Sequence, residues 1–261
     1  MEKIPYSKQS IDSTDISAVT EVLKQNIITQ GPGIAKFESA FAEYVGSQYA
    51  VAVSSGTSAL TIAHQALGLQ PGERVLTTPN TFVATANSIE LAGGIAHLVD
   101  IDSDTFNIST FRLQEALSNS QKFRGIVPVH FAGVPADMEA IAALSDKYGL
   151  YIIEDACHAL GSHWKDAKGK THRVGDCSHS DMTIFSFHPV KQITTGEGGM
   201  VTTNDPDLYS RLLSFRSHGI SWPKDENTRK NQPWVYEMQN LSANYRITDI
   251  QCALGQSQLK K

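Results

Sequence analysis

The chain has 261 residues, 41% of them hydrophobic and 19% charged, enough for one large domain or two ordinary ones around a sizeable core. Its 22 basic and 27 acidic residues give a net charge of −5 without any block of like charge, which leaves nucleic acid or an anionic membrane little to hold. The opening MEKIPYSKQS has no apolar stretch of signal-peptide length and no run approaches the ~18 apolar residues of a membrane span, so the chain reads as cytoplasmic. Cys157, Cys177 and Cys252 form no CxxC pair and suit free buried thiols.

In chain order, TDISAVTEVLKQ and GIAKFESAFAEYVG predict two helices joined by NIITQGP, whose Gly-Pro marks a turn. Short β-rich runs then recur: YAVAV (49–53), RVLTT (74–78), IAHLV (95–99), GIVPVH (125–130), LYIIE (150–154), TIFSF (183–187) and GMVTT (199–203). Helical patterning separates most of them, as in TSALTIAHQALGL and DMEAIAALSDKYG. Alternation of this kind predicts an α/β domain around a largely parallel sheet, with ligands at the carboxyl ends of the strands. Beyond the last strand, DLYSRLLSFRSHG predicts a helix and PKDENTRKNQP a polar, turn-rich stretch. TDIQCALGQSQLKK reads as an amphipathic helix without a stop signal.

Three strand ends carry unusual polar groups. VAVSSGTSAL places Ser54 to Ser58 between a strand and a helix, with Gly56 for close backbone approach; free N–H groups and hydroxyls there make a phosphate site, although Ser and Thr also cap ordinary helices. YIIEDACHALGS ends an apolar strand in Glu154 and Asp155, with His158 three residues on. Asp155 is either a helix N-cap or the partner of a cationic ligand nitrogen, because a buried carboxylate is costly without donors. FSFHPVKQITTGEGGM puts Ser186 and Lys191 around a turn after the strand TIFSF; a lone lysine is usually solvated surface. A phosphate site, a carboxylate for a ring N–H and a lysine, each at a strand end, together describe pyridoxal phosphate. Zinc on His158, His163, His172, Cys177 and His179 is the competing reading, but those spacings match no standard site.

With NTFVATANS and NYRITDIQCALG, these motifs resemble the sugar aminotransferases of the DegT/DnrJ/EryC1/StrS family, a branch of the fold type I pyridoxal-phosphate enzymes. The resemblance implies a mixed, mostly parallel seven-stranded sheet with flanking helices and a homodimer with shared active sites. Lys191 would bind the cofactor covalently and shuttle a proton, and Asp155 would hold the pyridine nitrogen protonated. Phe82 would stack on the ring, and His158 would lie near the phenolic oxygen, where many relatives carry glutamine. Ser55, Gly56, Thr57 and Ser186 would hold the phosphate, with Asn244 reaching in from the other subunit. Tyr6, Asn26, Ile27, Ile28 and Thr29 would contact a nucleotide sugar. Within the family, IPYSKQSID, ITQGP, HALGS and SFHPVKQITT are most similar to members that aminate C4 of a UDP-4-keto-6-deoxy-N-acetylhexosamine, with glutamate as donor, on the way to pseudaminic acid. Lys191 sets the chain apart from the family's sugar dehydratases, which carry histidine there. The implied division is an N-terminal helix and substrate-side loop (1–35), a cofactor-binding large α/β domain (36–247), and the start of a helix leading to an absent small domain (248–261).

Overall fold

A computed structural model describes residues 4–223, 225, 230–232 and 234–261. Helix α1 (Ser13–Leu23) starts in a capping box in which Asp12 accepts the N–H groups of Thr14 and Asp15 while the Asp15 carboxylate accepts the N–H of Asp12. Helix α2 (Pro32–Val45) begins with proline, whose missing N–H costs nothing there, and stops at Gly46 in the left-handed conformation. It spans position 35/36 without a break.

All seven expected strands form and lie in one sheet: β1 (Tyr49–Val53), β2 (Arg74–Thr77), β3 (Ile95–Leu98), β4 (Gly125–Ile126), β5 (Tyr151–Asp155), β8 (Met182–Ser186) and β9 (Gly199–Thr203). The order is β1-β9-β8-β5-β4-β2-β3. Only the pairings of β9 with β1 and with β8 are antiparallel, so six strands point one way and β9 alone returns. The carboxyl ends of β1, β2, β5 and β8 therefore share an edge with the first residue of β9. The run expected as a strand over 125–130 is regular only at Gly125–Ile126, because Pro128 has no N–H for the ladder. The chain nevertheless stays extended, with Pro128 O accepting from Asp155 N–H at 2.9 Å and His130 N–H donating to Asp155 O at 3.0 Å.

The sheet is covered by α2, α3 (Gly56–Ala66), α4 (Ala84–Leu91), α5 (Thr110–Ser118), α6 (Met138–Tyr148), α7 (Pro206–Arg216) and α8 (Asp249–Gln258). On the face nearest the lysine turn, Phe37, Phe41, Phe185 and Phe187 are fully buried, with ring centroids 5.1 Å apart for Phe41–Phe185 and 5.5 Å for Phe41–Phe187. Each such side chain contributes about 1.5–3 kcal/mol through burial, so the aromatic cluster fixes the end of β8 firmly. Helix α1 packs on α8, where Lys261 Nζ meets Asp15 Oδ2 at 2.6 Å and Asp12 Oδ2 at 3.0 Å. Two hairpins stand apart from the sheet, β6 (His163–Lys165) with β7 (Thr171–Arg173) and β10 (Ile220–Ser221) with β11 (Glu237–Met238). Residues 224, 226–229 and 233 of the stretch expected to be turn-rich lie outside the described residues. The three cysteines are free thiols, Cys177 and Cys252 buried and Cys157 partly so. Among the described residues, no helix is long and apolar enough to cross a membrane.

Candidate active site

At the end of β1, Ser55 caps α3 by accepting the Ser58 N–H at 3.0 Å, and its carbonyl accepts that of Ala59 at 3.0 Å. Of the four N–H groups that open a helix, those of Gly56 and Thr57 remain for a ligand. The Ser58 hydroxyl lies 2.8 Å from that of Ser55 and 2.9 Å from that of Ser54, so it serves the loop internally. A Cβ on Gly56 would sit 3.1 Å from Ser186 Cβ and 3.3 Å from Cys157 Sγ; glycine lets the ends of β5 and β8 close on the helix start. A Cβ on Gly199 would run into the Ser55 carbonyl, so β9 closes the cradle from the other side.

Strand β5 delivers two buried carboxylates with different surroundings. Successive residues of a strand face opposite ways, and Glu154 is fully engaged on its side by His130 Nε2 at 2.7 Å, Thr183 Oγ1 at 2.9 Å and the Ser180 hydroxyl. Asp155, 5% exposed, receives the Thr85 hydroxyl on Oδ2 at 2.7 Å and the Cys157 N–H on Oδ1 at 3.2 Å, with the Cys157 thiol beside it. Asp155 is therefore left with the greater unfilled acceptor capacity. No helix follows it, so the alternative of a helix N-cap falls away.

Burial alone would raise the Glu154 pKa, but the hydrogen bonds from His130, Ser180 and Thr183 outweigh it and hold the carboxyl below the usual glutamate range. Because the folded-state value is depressed, the stability this group contributes is complete above the ordinary glutamate pKa near ~4.3 and is lost as pH falls through the lower folded value. His130→Ala leaves a buried carboxylate without its main partner and is expected to cost about 3–5 kcal/mol at neutral pH. Urea unfolding checks this, and the gap to the native protein should narrow toward acid. A loss below about 1 kcal/mol would mean that the pair does not carry Glu154.

The third strand end holds Lys191. Residues 187–198 link β8 to β9 and are closed at the base by Phe187 N–H to Gly198 O at 2.9 Å, Thr195 N–H to Phe187 O at 3.0 Å and Thr194 Oγ1 to Phe187 O at 2.9 Å. Lys191 is half-buried and, among the described residues, has no ion-pair partner; its own N–H is tied to His188 O at 2.9 Å. Its turn is tied to the end of β5 by Gln192, which donates to the His158 carbonyl, and its charge is felt there. Burial, then the charge of Lys191, lowers the His158 pKa, with Asp155 opposing. Burial, then Asp155, pushes the Cys157 thiol well above its ordinary value, with Lys191 opposing.

Thus Ser55, Gly56, Thr57, Asp155, His158, Ser186 and Lys191 converge on one sheet edge. Phe82 joins at the rim: it is 69% exposed, and the Thr85 hydroxyl that serves Asp155 lies 3.2 Å from its carbonyl. His158 is braced by Phe131, ring centroids 6.2 Å apart, and by Gln192, which donates to the His158 carbonyl. Asn244 stands outside the cluster, exposed, its Oδ1 accepting the Arg246 N–H at 3.2 Å. Tyr6 is 98% exposed, and Asn26, Ile27, Ile28 and Thr29 form an exposed segment bridged at Thr29 to Thr248. Sequence reasoning missed the supporting roles of Thr85, His130 and Cys157; a strand carrying two adjacent acids was itself the signal that such partners exist.

These residues fit pyridoxal phosphate. The donor set at α3 suits a phosphate, the unfilled acceptor capacity of Asp155 suits a protonated ring nitrogen, and Lys191 is a primary amine, without an ion-pair partner among the described residues, on the turn that is tied to the end of β5. For the competing zinc reading, His172 and His179 do meet, ring centroids 4.8 Å apart, but Cys177 is turned into the sheet against Thr202 and Thr183. Among the described residues, no three His, Cys, Asp or Glu side chains are grouped to hold a metal ion.

Comparison with known proteins agrees with this geometry. Residues 9–261 match the model of the DegT/DnrJ/EryC1/StrS aminotransferase family. The chain is 44% identical over 259 residues to the UDP-4-amino-4,6-dideoxy-N-acetyl-beta-L-altrosamine transaminase of Campylobacter jejuni (strain 81-176), covering 99% of this chain and 64% of that protein. Its fold is similar to that of Helicobacter pylori PseC, an aminotransferase involved in the biosynthesis of pseudoaminic acid, with a TM-score of 0.88, 34% identity, and coverage of 100% of this chain and 66% of the other. It is also similar to the PLP form of the sugar aminotransferase Spr1654 from Streptococcus pneumoniae, described as putative, with a TM-score of 0.85, 28% identity, and coverage of 98% and 66%. The chain therefore spans just under two thirds of the length of these relatives. On the strength of the match over nearly its whole length, the chain belongs to the DegT/DnrJ/EryC1/StrS aminotransferase family.

Proposed function

We propose that this protein transfers an amino group from an amino acid, glutamate, to C4 of a UDP-4-keto-6-deoxy-N-acetylhexosamine in pseudaminic acid biosynthesis, with pyridoxal phosphate as cofactor and as a homodimer. The observation that carries the reading is the convergence of the α3 start, Asp155 and Lys191 on one edge of the sheet. The cofactor, when bound, supplies an electron sink for the carbon that gains or loses a proton. The N–H groups of Gly56 and Thr57, with the Ser55 and Ser186 hydroxyls, anchor its phosphate. Asp155 holds the proton on the ring nitrogen, its orientation fixed by Thr85. Lys191 binds the cofactor covalently and, once released, moves a proton at C4 of the sugar. Phe82 would stack on the ring and His158 would stand near its phenolic oxygen. Asn244 is supplied to the phosphate of the other subunit, while Tyr6 and Asn26–Thr29 receive the nucleotide sugar.

The test is turnover by the full-length protein of matched 3-keto and 4-keto UDP sugars with glutamate. The expected outcome is amination of the 4-keto sugar; turnover of the 3-keto sugar alone, or of neither, overturns the acceptor assignment.

A further inference from the structure

Asp249, the first residue of α8, is 2% exposed, and its carboxylate serves another helix. Oδ2 accepts the Gly31 N–H and Oδ1 the Gly33 N–H, both at 2.8 Å. These groups open α2, whose N-cap is Gly31 and has no side chain to cap with, so the cap comes from 218 positions along the chain. A Cβ on Gly31 or Gly33 would lie 2.7 or 2.8 Å from Asp249 Oδ1, so glycine at both positions admits the carboxylate. The main chain joins alongside, with Asp249 N–H donating to Ile28 O at 3.0 Å and Thr29 bridged to Thr248. Two residues further on, Gln251 Nε2 donates to Glu197 O at 2.7 Å, at the end of the turn that carries Lys191. The first turn of α8 therefore grips the segment Asn26–Thr29 on one side and the lysine turn on the other.

We propose that Asp249 is a positioning residue for the acceptor nucleotide sugar, holding Asn26–Thr29 in register with the Lys191 turn; this rests on the acceptor reading above. A carboxylate bonded to two N–H groups at a helix start is both charge-assisted and favoured by the helix dipole. An amide of the same shape keeps one acceptor and turns an NH₂ toward the other N–H, which releases the segment. The amino-acid half of the reaction depends on Lys191, Asp155 and the α3 start, none of which Asp249 touches.

The experiment compares native full-length protein with Asp249→Asn. It measures steady-state KM and kcat, the glutamate half-reaction followed by absorbance of the bound cofactor, and UDP affinity by calorimetry. The KM for the 4-keto sugar and the Kd for UDP should rise about 10-fold or more, while the glutamate half-reaction stays within about twofold. Gln251→Ala, which keeps the carboxylate but cuts both the tie to Glu197 and the bonds that Gln251 accepts from the N–H and hydroxyl of Thr248, should move the same KM by a few-fold, and it carries the test if Asp249→Asn does not fold. Unchanged acceptor KM and UDP affinity, or equal loss in both half-reactions, overturns the proposal. Native protein that runs the glutamate half-reaction yet neither binds UDP nor aminates the 4-keto sugar overturns the proposed function as well. A fully active native protein with an indifferent variant overturns only the positioning role.

Discussion

Lys191→Ala is expected to lower transamination by at least about four orders of magnitude and to abolish covalent retention of the cofactor after borohydride reduction. The reason lies in the turn that presents it. Residues 187–198 are cross-bonded at their base, the aromatic cluster holds the end of β8, and the lysine amine is left without an ion pair among the described residues. A histidine or arginine at this position cannot supply a nucleophilic amine that then carries a proton at the same carbon. Peptide mapping after reduction should place the label at Lys191; a label on Lys165, Lys168 or Lys170 would refute the assignment.

Asp155→Asn should be nearly as damaging to activity, lowering turnover by about three orders of magnitude, since an amide does not keep the ring nitrogen protonated. The fold should tolerate the change. The asparagine carbonyl can keep the Cys157 N–H that Oδ1 accepts at 3.2 Å, and the Thr85 hydroxyl, unlike the fixed N–H groups that meet Asp249, can turn its proton to the Phe82 carbonyl and accept the amide, so the melting temperature should stay within a few degrees. Near-normal turnover would remove Asp155 from the mechanism, and gross unfolding would recast it as a structural residue.

The sheet was readable from the chain because each of its seven strands is a short β-branched or aromatic run bounded by turn residues, and the helix between β5 and its predecessor follows the 3.6-residue period cleanly. The boundaries were less readable: Pro128 removes a donor that only the ladder reveals as needed, and β5 ends at Asp155, one residue later than the strand expected over 150–154. The placement of β9 between β1 and β8 depends on long-range pairing, although the lack of a helical pattern between TIFSF and GMVTT already favours an antiparallel return. At the site, Lys191, Asp155 and the serine loop were visible because their residue types are unusual at strand ends. Thr85 and His130 were not, because a threonine on a helix and a histidine after a proline carry no local mark of the carboxylate that each meets across the fold. Asp249 looked like an ordinary acidic first-turn residue, and only the tertiary structure shows it capping a different helix.

The neighbouring positions of Glu154 and Asp155 bear on recombination between this chain and its relatives. One acid is spent on the interior network and the next faces the opposite way with acceptor capacity to spare, so the strand has no slack: deleting or inserting a single residue within 151–153 would exchange their faces. The interior histidine would then face the wrong carboxylate, and a glutamate, longer by one methylene, would stand where Asp155 now lies. Chimaeras whose junction shifts the register inside this strand should fail even when every substituted residue is individually acceptable. Crossovers placed at the Gly149 turn before it or in the 166–169 turn beyond it leave the pairing of acids to faces intact.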